Sequence, residues 1–333
     1  MKFPLQTTRK IAVFRALQLG DMLCAIPAVR ALRAAYPDAE ITLLGLPWAE
    51  SLCTRFPAYF DRFIHFPGFP GLPEQAVDPI AYQHFAAQMR DEQFDLILQM
   101  QGNGNIVNDM LENLSESPVA GFHSEGNYRC PDAFLQYPSG ISEILRHLQL
   151  MEHLGIPSQG TALEFPVLGE EIQRLRSQLR FLPESPYICI HPGSRGAWRQ
   201  WPPSHFARLA DQCAGLGYRI VVTGTAAEAA ITAEVIGLMD YPAIDLTGKT
   251  GLGEIAQLIA EADLLISNCT GVSHIAAATE TPSIVISMDG EPERWGPLNK
   301  ELHITIDWTS DPDYATVLLH LESLLGSRSK QSK

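Results

Sequence analysis

The feature that most constrains this chain is a unit that recurs along it: a short apolar run that empties into a polar, glycine-bearing loop and then into a segment of helical period. The clearest copy is YICIHPGSRGAWRQWPP, residues 187–203. Tyr187, Ile188, Cys189 and Ile190 make an uninterrupted apolar run, the pattern of a strand covered on both faces, as in parallel sheets. Beyond the loop, Phe206, Leu209, Ala210 and Cys213 fall at i, i+3, i+4 and i+7, one face of a helix. Between them lie Gly193, Ser194 and Gly196 with the cations Arg195 and Arg199, residue types suited to holding an anion. Strand, glycine loop and helix in that order place ligands at the carboxyl ends of parallel strands. The same residues also read as a connector with two solvated arginines.

The first half repeats the unit. Residues 11–14 form a strand candidate, Gly20-Asp21 a turn, and Ala28, Val29, Leu32, Ala35 and Tyr36 a helical face, with Pro27 either opening the main helix or kinking it. Residues 41–44 follow as the next strand, completing a βαβ unit. Residues 96–98 lead to a second glycine turn at 101–105. The segments 56–79 and 121–140 lack a clean period and read as irregular; the first, rich in Phe, is expected to pack on the core. Helical patterns return at 141–154 and 170–181. In the second half the strands are expected at 219–223, 264–267 and 283–287, and the helices at 226–238, 252–262 and 272–279. With 333 residues, 46% of them hydrophobic, two cores are affordable. The predicted fold class is α/β, with two Rossmann-like doubly wound domains, 1–165 and 166–325, facing a central cleft, and a disordered tail at 326–333.

Net charge is −14, spread evenly: 11 Lys+Arg against 18 Asp+Glu in residues 1–165, and 13 against 20 in the rest. Such a chain is a poor partner for nucleic acid and lacks the basic field of a protein held on anionic lipid by charge. A local patch from Arg9, Arg15, Arg30, Arg33, Arg55 and Arg62 is the expected route to peripheral membrane contact; the bland alternative is ordinary surface charge. The six cysteines are scattered without metal-ligand spacing, which points to reduced residues in the cytoplasm. Near the start, residues 6–10 interrupt any apolar run, so neither a secretory signal nor a membrane span is expected.

The second anchor is Asn268-Cys269-Thr270-Gly271-Val272-Ser273-His274, joining an apolar strand to an alanine-rich helix. Small residues there open the unpaired amides of a helix start to a diphosphate. The alternative is that Thr270 or Ser273 is only an N-cap and His274 only packs on the core. Two anion-binding turns in one half, with Arg199 nearby, suggest a nucleoside diphosphate held without metal. The one Asp-x-Asp, Asp311-Pro312-Asp313, reads as a solvated turn rather than a metal site. In the first half, Asp21 is either a general base or an N-cap.

Five segments in order resemble the signatures of the lipopolysaccharide heptosyltransferases, glycosyltransferase family nine. They are Leu19-Gly20-Asp21…Ile26-Pro27-Ala28; His191-Pro192-Gly193-Ser194…Arg199-Gln200-Trp201-Pro202; Val222-Thr223-Gly224…Glu228; Asp245-Leu246-Thr247-Gly248-Lys249-Thr250; and Asn268…Thr270-Gly271…Ser273-His274-Ile275-Ala276-Ala277. The resemblance implies a GT-B fold and an inverting, metal-independent transfer from a nucleotide-diphosphate sugar, commonly ADP-heptose, to a lipopolysaccharide-core or related surface-glycan acceptor, with no cofactor. It further implies that Asp21 is the base, that Arg199, Gly193, Ser194, Thr270 and Gly271 hold the diphosphate, and that Glu228 holds the ribose. Asn268, Ser273 and His274 join the donor side, and Gln101 and Asn103 are candidates on the acceptor side. The chain departs from the family pattern at Cys269, where Asp is common, and at Arg199, where Lys is common. Two other readings therefore stand beside the first: transfer from a different nucleotide sugar, and a nucleotide-sugar-binding protein without turnover. Retained Asp21 and Glu228 argue against the latter.

Overall fold

The computed structural model describes residues 2–4, 7–126, 128–178 and 185–331. The chain divides into two compact units, Met1–Thr161 and Ala162–Lys333.

The first unit has strands β1 (Lys10–Phe14), β2 (Glu40–Gly45), β3 (Arg62–His65), β4 (Leu96–Gln99), β5 (Val119–His123) and β6 (Phe134–Gln136), with helices α1 (Leu19–Ala35), α2 (Glu50–Arg55), α3 (Pro79–Glu92), α4 (Val107–Leu114) and α5 (Glu143–His153). All pairings are parallel, in the order β3-β2-β1-β4-β5-β6. The second unit has α6 (Gly169–Gln178), β7 (Tyr187–His191), α7 (Pro203–Gly215), β8 (Arg219–Val222), α8 (Ala229–Leu238), β9 (Ala243–Asp245), α9 (Leu252–Ala260), β10 (Leu264–Asn268), α10 (Gly271–Ala278), β11 (Ser283–Ser287), α11 (Pro292–Trp295), β12 (His303–Asp307) and α12 (Tyr314–Gln331). Its order, β12-β11-β10-β7-β8-β9, is the same topology repeated, and again wholly parallel. In each sheet the strand order reverses beside the first strand, between β1 and β4 and between β7 and β10. Open α/β sheets bind ligands at such switch points.

The apolar runs become fully covered strands: Ile11, Ala12, Val13 and Phe14, and likewise Ile188, Cys189 and Ile190, are buried. Phe14, Phe66 and Phe85 form an edge-to-face chain, with centroids 5.0 and 5.6 Å apart, that ties β1 to the segment after β3 and to α3. Helix α3 starts at Asp78-Pro79, where the Asp78 carboxylate accepts from the amides of Ile80 and Ala81 at 3.0 Å. In the second unit Trp201 is fully buried among Phe206, Trp308 and Tyr314. Burying a ring of 150–250 Å² is worth roughly 4–6 kcal/mol, enough to hold the loop that follows β7.

Several expectations change. Residues 56–79 hold a strand, β3, as well as packed aromatics, and 121–140 hold the end of β5 and all of β6. β3 and β6 are short and partly exposed, so neither alternation nor a continuous apolar run marks them, while β5 is buried but its run is broken by Gly121. Helix α1 begins at Leu19, so Gly20 and Asp21 lie inside it, and Pro27 sits mid-helix rather than at its start. The expected helix at 170–181 runs from Gly169 to Gln178; residues 179–181 lie outside the described residues. In place of a disordered tail at 326–333, α12 continues to Gln331, and 332–333 lie outside the described residues.

Candidate active site

In the first unit the site is built on a buried cation at the carboxyl end of β1. Arg15 is fully buried. Its Nε donates to the Asp21 carbonyl at 2.8 Å, one terminal nitrogen donates to the Met100 carbonyl, and the other lies 3.3 Å from Glu143 Oε1 and 4.0 Å from Asp21 Oδ1. Asp21 itself is not the N-cap. That position belongs to Gln18, whose amide donates to Asp21 Oδ2 at 3.2 Å, so Asp21 is the third-residue member of a capping box. A carboxylate in the first turn gains from the helix dipole and keeps an exposed edge, its side chain being 23% accessible.

Behind Arg15, α5 contributes Glu143, Arg146 and His147. Glu143 pairs with both guanidiniums and lies 3.3 Å from His147 Nε2. Burial raises the Glu143 carboxyl's affinity for a proton, but His147, Arg15 and Arg146 outweigh it and hold the group well below the usual carboxylate range. Burial, reinforced by Arg15, pushes His147 down to about 4, so it is neutral near pH 7. Gln101 is buried, and its Oε1 accepts from the Ala16 amide at 2.7 Å, pinning the loop after β1 to the loop after β4. Asn103 lies on that second loop, its Oδ1 accepting from the Asn105 amide at 3.3 Å.

The second unit has a matching clamp at its own switch point. Asn268, at the end of β10 and fully buried, accepts from the Trp201 amide at 2.8 Å and donates to the Pro192 carbonyl at 2.7 Å. With both ends of its amide engaged, Asn268 shapes the loop after β7. Glu228 accepts from the amide and hydroxyl of Thr225 at 2.7 and 2.9 Å, with His191 Nε2 3.9 Å away. His191 in turn meets the Thr223 hydroxyl at 3.0 Å. Gly193 packs directly on the Glu228 carboxylate, so a Cβ there would displace that carboxylate from its bonds to Thr225. Ser194 is buried, its carbonyl accepting from Gln200 at 3.0 Å.

Thr270 occupies the N-cap of α10 but makes no side-chain cap bond, while the Ser273 hydroxyl turns back to the Thr270 carbonyl at 2.7 Å. His274 is buried on the same helix. Arg199, 31% accessible, pairs with Asp289, which also accepts from the Ser287 hydroxyl at 2.8 Å. Both partners act on Cys269: burial and Asp289 push its thiol up to about 12, against Arg199 and Lys300. A carboxylate does therefore stand beside Cys269, supplied by the loop after β11. Sequence reading missed Asp289 because it lies 20 positions from Cys269 and belongs to no motif. Glu143, Arg146 and His147 of α5 were missed for the same reason, and Arg15 was read only as a member of a surface patch.

The proposed arginine patch of the first unit does not form. Arg15 and Arg55 are buried; Arg9 pairs with Asp38, Arg33 with Asp61, and Arg62 with Glu40 and Glu92, while Arg30 donates to the Gly160 carbonyl. Asp313 caps α12, accepting from the amides of Ala315 and Thr316. Among the described residues no group of three or more His, Cys, Asp or Glu could hold a metal ion, and no helix is long and apolar enough to cross a membrane.

Residues 82–314 match the model of glycosyltransferase family 9 (heptosyltransferase). Lipopolysaccharide heptosyltransferase 2 of Salmonella typhimurium is 24% identical over 310 residues, covering 89% of this chain and 87% of that protein. Among solved structures, a family 9 glycosyltransferase from Veillonella parvula superimposes with a TM-score of 0.78 at 20% identity, over 98% of this chain and 99% of that one. The ADP-heptose lipopolysaccharide heptosyltransferase II of Escherichia coli gives 0.76 at 21%, over 96% and 99%. Two parallel α/β units with this topology are the GT-B fold, and the protein is a glycosyltransferase. With the family's model spanning about half of the first unit and most of the second, and its relatives aligned over most of their length, the chain belongs to glycosyltransferase family 9, the heptosyltransferases.

Proposed function

We propose that the protein transfers a heptose from ADP-heptose to a lipopolysaccharide-core acceptor, with inversion at the anomeric carbon and without a metal. Asp21 takes the proton of the acceptor hydroxyl as that oxygen attacks the anomeric carbon, and the bond to the diphosphate breaks. Arg199, the backbone of the Gly193-Ser194 turn and the amides at Thr270-Gly271 receive the charge that grows on the leaving diphosphate. Glu228, oriented by Thr225, holds the ribose hydroxyls. The acceptor is a glycolipid made at a membrane surface, and the reaction runs on its cytoplasmic side.

The observation that carries this reading is Arg199: a partly accessible cation held by one carboxylate beside Cys269, at the strand end that opens into α10. A fixed guanidinium next to helix-start amides supplies the charge stabilisation that a divalent ion supplies in other phosphate chemistry. Calorimetry and thermal shift against ADP, GDP, UDP and their sugar conjugates, with and without EDTA, test it. ADP and ADP-heptose are expected to bind equally well with and without EDTA. A preference for another base replaces the donor, dependence on a divalent ion removes the metal-free mechanism, and silence across the panel removes the reading.

A further inference from the structure

Beneath Asp21 lies a charged cluster to which the transfer chemistry above gives no role. Arg15, Glu143, Arg146 and His147 are all buried, and Arg146 is further fixed by the Pro138 carbonyl at 2.9 Å and the Tyr137 ring at 4.4 Å. Burying charges is expensive, and apolar side chains of the same volume would leave a fold as stable or more so. What an apolar cluster cannot do is set the field at a carboxylate. The arithmetic of charge is specific: two permanent cations, Arg15 and Arg146, face one buried carboxylate, Glu143, while His147 is neutral near pH 7. Asp21, 4.0 Å from Arg15, is the second anion, so the cluster balances when Asp21 is ionised. Among the described residues, Arg15 from the loop after β1 faces Asp21, and behind it stand Glu143, Arg146 and His147 from α5, the helix packed on α1. Gln101 and Trp48, which anchor the same loop at Ala16 and Leu17, carry no charge.

We propose that Glu143 and Arg146 are positioning residues for sugar transfer: acting through Arg15, they hold the Asp21 carboxylate in place and ionised, ready for the acceptor's proton. The proposal rests on the reading of Asp21 as the base. As the proton moves to Asp21, the electron pair of the acceptor O–H bond goes into the new C–O bond, and the diphosphate leaves with the pair of the bond that breaks. The cluster is then left with one positive charge in excess, which drives Asp21 to return its proton to solvent through its exposed edge.

The test is the pH profile of kcat/KM for the parent, Glu143→Gln, Arg146→Gln and Asp21→Asn, with melting temperatures recorded alongside. Glu143→Gln leaves the two cations less compensated, so the acid limb should move to lower pH by about half a unit to one unit, with kcat down about 10-fold and the donor KM within about 2-fold. Arg146→Gln removes a cation, so the limb should move up. Opposite displacements are the signature, because a merely structural role lowers rate or melting temperature without moving the limb in two directions. Should one variant fail to fold, the sign of the other decides. Limbs that coincide with the parent's, or move the same way, overturn the proposal while an inactive Asp21→Asn leaves the base reading standing. Asp21→Asn at the parent rate removes both.

Discussion

Arg15 and Arg199 occupy equivalent places, each in the loop after the first strand of its sheet, yet they differ in what surrounds them. Arg15 has no exposed surface and is spent on two carboxylates and two carbonyls. Arg199 is 31% accessible and has one carboxylate partner, Asp289. The contrast teaches that burial decides what a guanidinium at a strand end is for. Fully enclosed, it must be satisfied from within the protein, and its charge acts on its neighbours. Half-exposed, it keeps donors for a ligand. Gln101 and Asn268 make the same contrast in a neutral key: both amides tie the two loops of a switch point, but Asn268 is engaged at both ends and fully buried.

Three substitutions would break or sharpen this comparison. Arg15→Met strands Glu143 beside a lone Arg146 and removes the tie to Met100. It should cost about 3–5 kcal/mol in chemical denaturation; a loss under 1 kcal/mol would show that Arg15 is as dispensable as a surface cation. Asn268→Ala leaves the Trp201 amide and the Pro192 carbonyl buried without partners, for a cost of about 2–3 kcal/mol, read as a lower melting temperature together with weaker ADP binding. Arg199→Ala leaves the largely buried Asp289 with the Ser287 hydroxyl, so it should cost about 1–2 kcal/mol, less than Arg15→Met, while weakening ADP about 10- to 100-fold, the worth of a charge-assisted hydrogen bond. If Arg199→Ala instead destabilises the fold as much as Arg15→Met and spares ADP, the two arginines are alike and the assignment of roles fails.

Much of the scaffold was legible. The runs at 11–14, 41–44, 187–190, 264–267 and 283–287 are strands because apolar runs this short, bounded by turn residues, suit a sheet covered on both faces. Gly193 and the start of α10 were legible as special places because small residues after a strand serve few other ends. The short strands β3 and β6 were not, since partly exposed runs carry no sharp pattern, and β5 was not because Gly121 interrupts its short buried run. Asp21 drew attention as a base or a cap, and the structure gives it a share in a capping box led by Gln18.

The sequence by itself determined two parallel α/β units, the loops that end their first strands, and, through five ordered segments, the resemblance to the heptosyltransferases. These follow from local pattern, which neighbouring residues set together. Only the tertiary structure decided which charges meet: Glu143 reaching Arg15 across 128 positions, and Asp289 reaching Arg199 across 90. Ionic partners need proximity in space and no fixed spacing along the chain, so no motif announces them, and their burial depends on every element packed around them.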